Sequence, residues 1–242
     1  GMWQPVLVKK LILLLVASVL ALAGCSSGAV RGEPAGASSP VVSSSASASA
    51  TTAGEVSCTY TATNDGVKKV DLPPTDGVAA TGTAEYVLTL NSDPLKLTLD
   101  RENAPCTVNS FSSLAGQGFF DGSSCHRLVD DGGLYVLQCG DPSGTGSGGP
   151  GYQFDDELTG SESYGAGTLA MANAGPGTNG SQFFIVYADS QLSPDYTVFG
   201  HVDEAAVKVL AKLAAGGQDN SFGSSGGGKP NSPAVITSIK PA

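Results

Sequence analysis

From about Ala84 onward the chain runs in short segments with apolar residues at every second position, and this period constrains the fold more than any other feature. Glu85-Tyr-Val-Leu-Thr-Leu90 and Leu95-Lys-Leu-Thr-Leu99 alternate in this way. Asn91-Ser-Asp-Pro94 between them is a turn, so a β-hairpin is predicted. Further short strands are expected around 125–129, 135–139, 168–171, 183–186, 198–202 and 235–239. Helical spacing occurs twice. Pro105 opens a segment with Val108, Phe111 and Leu114 on one face and Gly116 at its end; Asp203 caps a second segment, 204–215, stopped by Gly216-Gly217. Many short strands with two helices predict a mostly-β domain, a closed or nearly closed antiparallel barrel with a helix over each end. Roughly 155 residues suffice for a self-standing core.

The residues before this domain read differently. Lys9 and Lys10 precede an apolar run from Leu11 to Leu22, too short to span a membrane comfortably. The run ends in Leu22-Ala-Gly-Cys25, which resembles the lipobox of bacterial lipoproteins. That resemblance implies that residues 1–24 are a signal peptide cut before Cys25. Cys25 would carry the lipid and hold the protein at the extracytoplasmic side of the cell membrane. An ordinary secretory signal or an uncleaved anchor is the alternative. Residues 25–54 are mostly Ser, Ala, Gly, Pro and Thr, and read as a flexible tether. Residues 55–83, with Pro73-Pro74 and several Gly turns, read as an irregular arm, and 84–242 as the domain. The chain carries 12 basic and 22 acidic residues, net −10. Loss of Lys9 and Lys10 would leave ten basic residues and a net charge of −12, which argues against nucleic-acid binding.

Within the domain, Gly167-Thr-Leu-Ala-Met-Ala-Asn-Ala-Gly-Pro-Gly-Thr-Asn-Gly-Ser-Gln-Phe-Phe-Ile185 has no acid, base, His or Cys. It offers small residues, the amides Asn173 and Gln182, and the rings Phe183 and Phe184. Such a set suits holding a neutral peptide, not proton transfer or covalent attack. The segment resembles the signature of the cyclophilins, the peptidyl-prolyl cis/trans isomerases. The resemblance runs from about Tyr86 to Lys240. It also rests on Cys125-His-Arg127, Val136-Leu-Gln-Cys-Gly-Asp141, Gly146-Ser-Gly-Gly149, Phe154-Asp-Asp-Glu157 and Tyr196-Thr-Val-Phe-Gly200, in matching order. It implies a closed, eight-stranded antiparallel barrel capped by two α-helices. It further implies a cofactor-free, metal-free, monomeric isomerase acting on proline-containing segments of exported proteins. The alternative is a peptide-binding or chaperone module on the same scaffold with little turnover.

Residue roles follow from that resemblance. Arg127 falls on the family's catalytic arginine, whose guanidinium favours the twisted amide. Gln138 and Asn173 complete the catalytic set, and Gln182 lines the same groove. The apolar proline pocket maps onto Tyr135, Val136, Phe184 and Leu192, with Tyr196 at the rim where some members have His. Ala172, Ala174 and Gly146 line the groove beside it. Gln191 stands where many members have a Trp that contacts cyclosporin, which puts drug affinity in doubt. His126 reads as structural, its side chain opposite to that of Arg127. Gly144-Thr-Gly-Ser-Gly-Gly149 fits a dinucleotide fingerprint, but Pro150-Gly151 follows rather than a helix. Gly223-Ser-Ser-Gly-Gly227 fits a nucleophile elbow but sits in a Gly-rich loop.

Four cysteines remain once Cys25 is assigned: Cys58, Cys106, Cys125 and Cys139. An exported chain with an even remainder and no C-x-x-C is expected to form disulfides. Cys125 and Cys139 lie on consecutive strands, roughly opposite each other when counted from the tip near 130–134, close enough to bond. Cys58 would then reach Cys106 and staple the arm to the domain. A Cys125–Cys139 bond would lie between Arg127 and Gln138 and make the site redox-sensitive. Cys106–Cys125, or four reduced thiols, are the competing states.

Overall fold

The computed structural model describes residues 53–242. The expected signal peptide, Cys25 and the expected tether up to residue 52 lie outside the described residues. In chain order the strands are β1 (Glu55–Val56), β2 (Thr61–Ala62), β3 (Val78–Ala79), β4 (Thr83–Leu90), β5 (Asp93–Asp100), β6 (Ser123–Ser124), β7 (Arg127–Asp131), β8 (Leu134–Cys139), β9 (Tyr152–Gln153), β10 (Thr168–Met171), β11 (Phe183–Val186), β12 (Val198–Val202) and β13 (Val235–Pro241). The helices are α1 (Pro105–Gly116) and α2 (Glu204–Ala214).

The alternating segment folds as expected. β4 and β5 pair from Thr83↔Asp100 to Leu90↔Asp93 around a two-residue turn. Asn91 takes φ 57°, a conformation Asn tolerates. Asp93 and Pro94 therefore belong to β5 rather than to the turn. Leu88, Leu90, Leu95, Leu97 and Leu99 are at most 1% exposed and form one wall of the core. Phe111 of α1 sits against Phe120, Phe183 and Phe199 with ring centroids 5.3–5.5 Å apart.

Two strand expectations are corrected. The main sheet has nine strands, not eight, in the order β6-β13-β4-β5-β12-β10-β11-β8-β7, and it curls without closing. The extra strand is β6, two residues long, paired to β13. Its other side does not meet β7, although only Cys125 and His126 separate them. The outer edge of β7 is taken instead by a Gly-rich loop. There the Leu128 amide donates to the Gly228 carbonyl at 2.7 Å and the Gly228 amide donates to the Leu128 carbonyl at 3.0 Å. At Gly227, φ 71°, a side chain would collide with the Leu128 carbonyl, so the loop can lie this close only as glycine.

The helix ends differ in how they are satisfied. Asp203 caps α2, accepting from the Ala206 amide at 2.8 Å. The N-cap position of α1 is Ala104, which offers no side-chain acceptor. A residue distant in sequence replaces it: the Glu157 carboxylate accepts from the amides of Cys106 (2.9 Å) and Thr107 (2.8 Å) and from the Thr107 hydroxyl (2.7 Å). The helix N-terminus thereby fixes the loop that follows β9.

The arm, expected to be irregular, is ordered onto the domain. β2 pairs with β9, and β1 with β3. Disulfides join Cys58 to Cys106 and Cys125 to Cys139. Tyr60 packs edge-on against Tyr152 and Phe154 at 5.5 and 5.6 Å, and its hydroxyl donates to the Cys106 carbonyl at 2.8 Å.

Candidate functional site

The pleat explains how residues far apart in sequence meet. Side chains on neighbouring strands that share parity and register stand in rows on one face. One row crosses five strands: Arg127 pairs with Gln138, Gln138 with Phe184, Phe184 with Ala170, and Ala170 with Val198. The next row holds Val129, Val136 and Val186. Both lie on the face opposite the main core. There Val129, Val136, Tyr164, Ala170, Phe184 and Val186 form a second, smaller apolar cluster, with Leu134, Leu192 and Tyr196 packed against it.

This cluster floors a cavity of about 330 Å³ lined by Arg127, Leu134, Val136, Gln138, Ala172, Asn173, Phe184, Leu192, Tyr196 and Ser225. Tyr196 stands edge-on to Phe184 at 5.6 Å. A second cavity of about 380 Å³ adjoins it, sharing Gln138, Ala172 and Asn173 and adding Gly146, Ala174 and Gln182. The structure thus brings together every expected site residue among the described residues except Tyr135. Tyr135 is a correction. It lies between Leu134 and Val136 on β8, so the pleat turns it to the other face. There its ring meets Tyr187 at 6.1 Å and packs on the main core. Leu134 takes the pocket position instead.

A line of polar groups crosses the groove. The Arg127 guanidinium donates through Nη1 to Gln138 Oε1 at 3.1 Å. Gln138 Nε2 donates to Gln182 Oε1 at 2.9 Å, and Gln182 Nε2 donates to the carbonyls of Gly146 and Gly148, each at 3.0 Å. Asp141 holds the loop carrying those glycines, accepting from the amides of Ser143, Gly146 and Gly148 at 2.8–3.0 Å. Those hydrogen bonds hold its carboxyl below the ordinary range despite burial. Asn173 donates to the Asp195 carbonyl at 2.9 Å.

Arg127 is anchored from behind by a loop the sequence did not mark. Its Nε donates to the Gly226 carbonyl at 3.0 Å, its Nη2 to the Ser225 carbonyl, and Phe222 lies under the guanidinium at 5.9 Å. Among the described residues no carboxylate pairs with it. Half-burial pushes its pKa down from the ordinary value, and a guanidinium stays charged there. Of five N–H donors, three are engaged, which leaves two for a ligand. His126, 2% exposed, lies behind the groove, and neither ring nitrogen has a hydrogen-bond partner among the described residues.

Residues 86–241 match the family model for cyclophilin type peptidyl-prolyl cis-trans isomerase/CLD. The chain is 47% identical over 197 residues to a probable peptidyl-prolyl cis-trans isomerase B of Mycobacterium tuberculosis, covering 75% of this chain and 63% of that protein. Its Mycobacterium leprae counterpart is 47% identical over 176 residues, covering 67% and 60%. The chain thus spans about three fifths of the length of these relatives. A solved cyclophilin type isomerase of Cryptosporidium parvum superposes with a TM-score of 0.59 at 31% identity, over 66% of this chain and 98% of that one.

Proposed function

Because the chain belongs to the cyclophilin family of peptidyl-prolyl cis-trans isomerases, we propose that it catalyses cis/trans isomerisation at Xaa-Pro bonds. The observation that carries this is Arg127: a charged, carboxylate-free guanidinium with two unused donors at the edge of a cavity of about 330 Å³ whose floor is apolar. The Xaa-Pro bond resists rotation by about 18–20 kcal/mol because of amide resonance. Rotation localises the lone pair on the proline nitrogen. A donor aimed at that nitrogen binds the twisted state better than either planar isomer, which is how binding becomes rate. The ring is held over Phe184, Val136, Leu134 and Leu192. Gln138, Gln182 and Asn173 hold the peptide backbone, and Ala172, Ala174 and Gly146 allow it to approach. No cofactor and no metal enter this scheme, and a monomer suffices for it.

Cys25, the preceding apolar run and the Ser/Ala-rich tether support an anchored enzyme that assists folding of exported proteins at the outer face of the plasma membrane. Cys25→Ser is expected to release the protein from membranes or leave an unprocessed precursor. Fractionation identical to wild type removes the anchor from the proposal. The activity is tested with proline tetrapeptides: cofactor-free acceleration is expected. Binding without acceleration would favour the chaperone reading.

A further inference from the structure

The arm, which precedes the family-model match, places a charge beside the groove. Residues 63–67 run along the loop 149–151. The Thr63 amide donates to the Gly151 carbonyl at 2.9 Å, the Gly149 amide to the Asp65 carbonyl at 2.9 Å, and the Val67 amide to the Gly149 carbonyl at 3.1 Å. This strip continues the β2–β9 pairing and sets the Asp65 carboxylate directly over Gly149, where any side chain would collide with it. Asp65 thereby becomes a wall residue of the 380 Å³ cavity beside the proline pocket. It is the charged group in that wall: no Lys or Arg lines the cavity. Its carboxylate accepts from the Thr63 hydroxyl, and among the described residues no cation pairs with it. Behind the same wall Asp141 accepts from the Gly146 and Gly148 amides, while across the cavity Gln138 accepts from Arg127. The family-model match begins at residue 86, so Asp65 lies outside the residues which that model describes.

Resting on the isomerase reading of the groove, we propose that Asp65 is a specificity-determining residue that selects peptides with a Lys or Arg close to the proline. The cavity shares Gln138, Ala172 and Asn173 with the proline pocket, so a peptide lying in the groove passes its mouth. Three extended residues reach about 10 Å. A cationic side chain that enters meets an unpaired carboxylate and the acceptors of the wall; an anionic one meets like charge.

The experiment uses the full chain and peptides carrying Lys, Met or Glu one, two or three residues to either side of the proline. Both kcat/KM and Kd are measured. At one position Lys should exceed Glu by about three- to tenfold, since exposed charge pairs are modest. Asp65→Asn should remove the difference, Asp65→Glu should keep it, and salt near 1 M should collapse it. The proposal is overturned if no position shows a preference, if the preference survives Asp65→Asn, or if Asp65→Asn weakens every peptide equally, as a merely structural residue would. Binding with a Lys preference but no turnover sinks the isomerase reading and leaves this one. Turnover without preference does the reverse, and peptides that neither bind nor turn over sink both.

Discussion

Arg127 is held on three sides, by Gln138, by the Ser225 and Gly226 carbonyls and by Phe222, so its position does not depend on substrate. Such preorganisation is what an electrostatic catalyst needs. Arg127→Ala is expected to lower kcat/KM at least tenfold, about 1.4 kcal/mol of transition-state stabilisation, with the fold intact by circular dichroism. Turnover like wild type would exclude the guanidinium from the mechanism. Arg127→Lys should recover little, because an ammonium cannot hold three anchors and still reach a proline nitrogen. His126, its neighbour, carries a pH signature. Burial pushes its pKa below the ordinary 6.5; Asp141 pulls the other way, and the charge of Arg127 adds to the depression. The unfolded chain therefore takes up the proton first. Stability is full above pH 6.5 and declines as the pH falls through it, by at most about 1.4 kcal/mol per pH unit. Melting temperatures at pH 7.5, 6.5 and 5.5 should show that decline, and His126→Gln should flatten it. An unchanged slope in the variant would assign the effect to other groups.

The elements show what the chain could and could not tell in advance. Period-two alternation in Leu95–Leu99, and helical spacing through Val108, Phe111 and Leu114, marked β5 and α1 because burial on one face writes directly into sequence. The same rule, applied strictly to β8, would have chosen Leu134 with Val136 and Gln138 and left Tyr135 out. The cap of α1 left no local signal, because its acceptor, Glu157, comes from another loop. Nor did the Gly-rich loop that seats Arg127, since backbone carbonyls carry no residue-type mark. Glu157→Ala strips three hydrogen bonds from the start of α1 and should cost roughly 1–3 kcal/mol in denaturant melts. A cost under half of that would mean water replaces the carboxylate. The disulfides differ in exposure. Cys125 and Cys139 are 2% and 1% exposed on the core side of the hairpin, beneath Arg127 and Gln138 rather than between them, whereas Cys106 is only partly buried. A mild reductant should therefore open Cys58–Cys106 first and leave isomerase activity largely in place. Alkylation mapping that finds Cys125 and Cys139 labelled first would contradict this order.

At the scale of the molecule, the arm makes the domain more than its family match. The sheet does not close, and the side where α1 meets β9 is covered by residues that precede Tyr86. Tyr60 fills that side, its ring against Tyr152 and Phe154 and its hydroxyl shared between the Cys106 carbonyl and Asn109. Lys68 reaches across to the Phe119 carbonyl at 2.7 Å. In the sequence, Cys58 alone hinted that this stretch was tied down; its Pro-rich, Gly-rich composition looked like linker because it builds two-residue strands that pair with distant partners. The arm should therefore act as part of the fold. A fragment of residues 55–242 is expected to melt and turn over like the full chain. A fragment of residues 84–242 retains the family domain and every groove residue except Asp65, yet loses the Cys58–Cys106 bond and the Tyr60 packing together. Its melting temperature should fall by roughly 10 °C or more. Cys58→Ala with Cys106→Ala in the full chain separates the two contributions: it removes the bond and leaves Tyr60 in place, so its loss should be the smaller. Equal melting of both fragments would show that the arm lies on the domain without stabilising it.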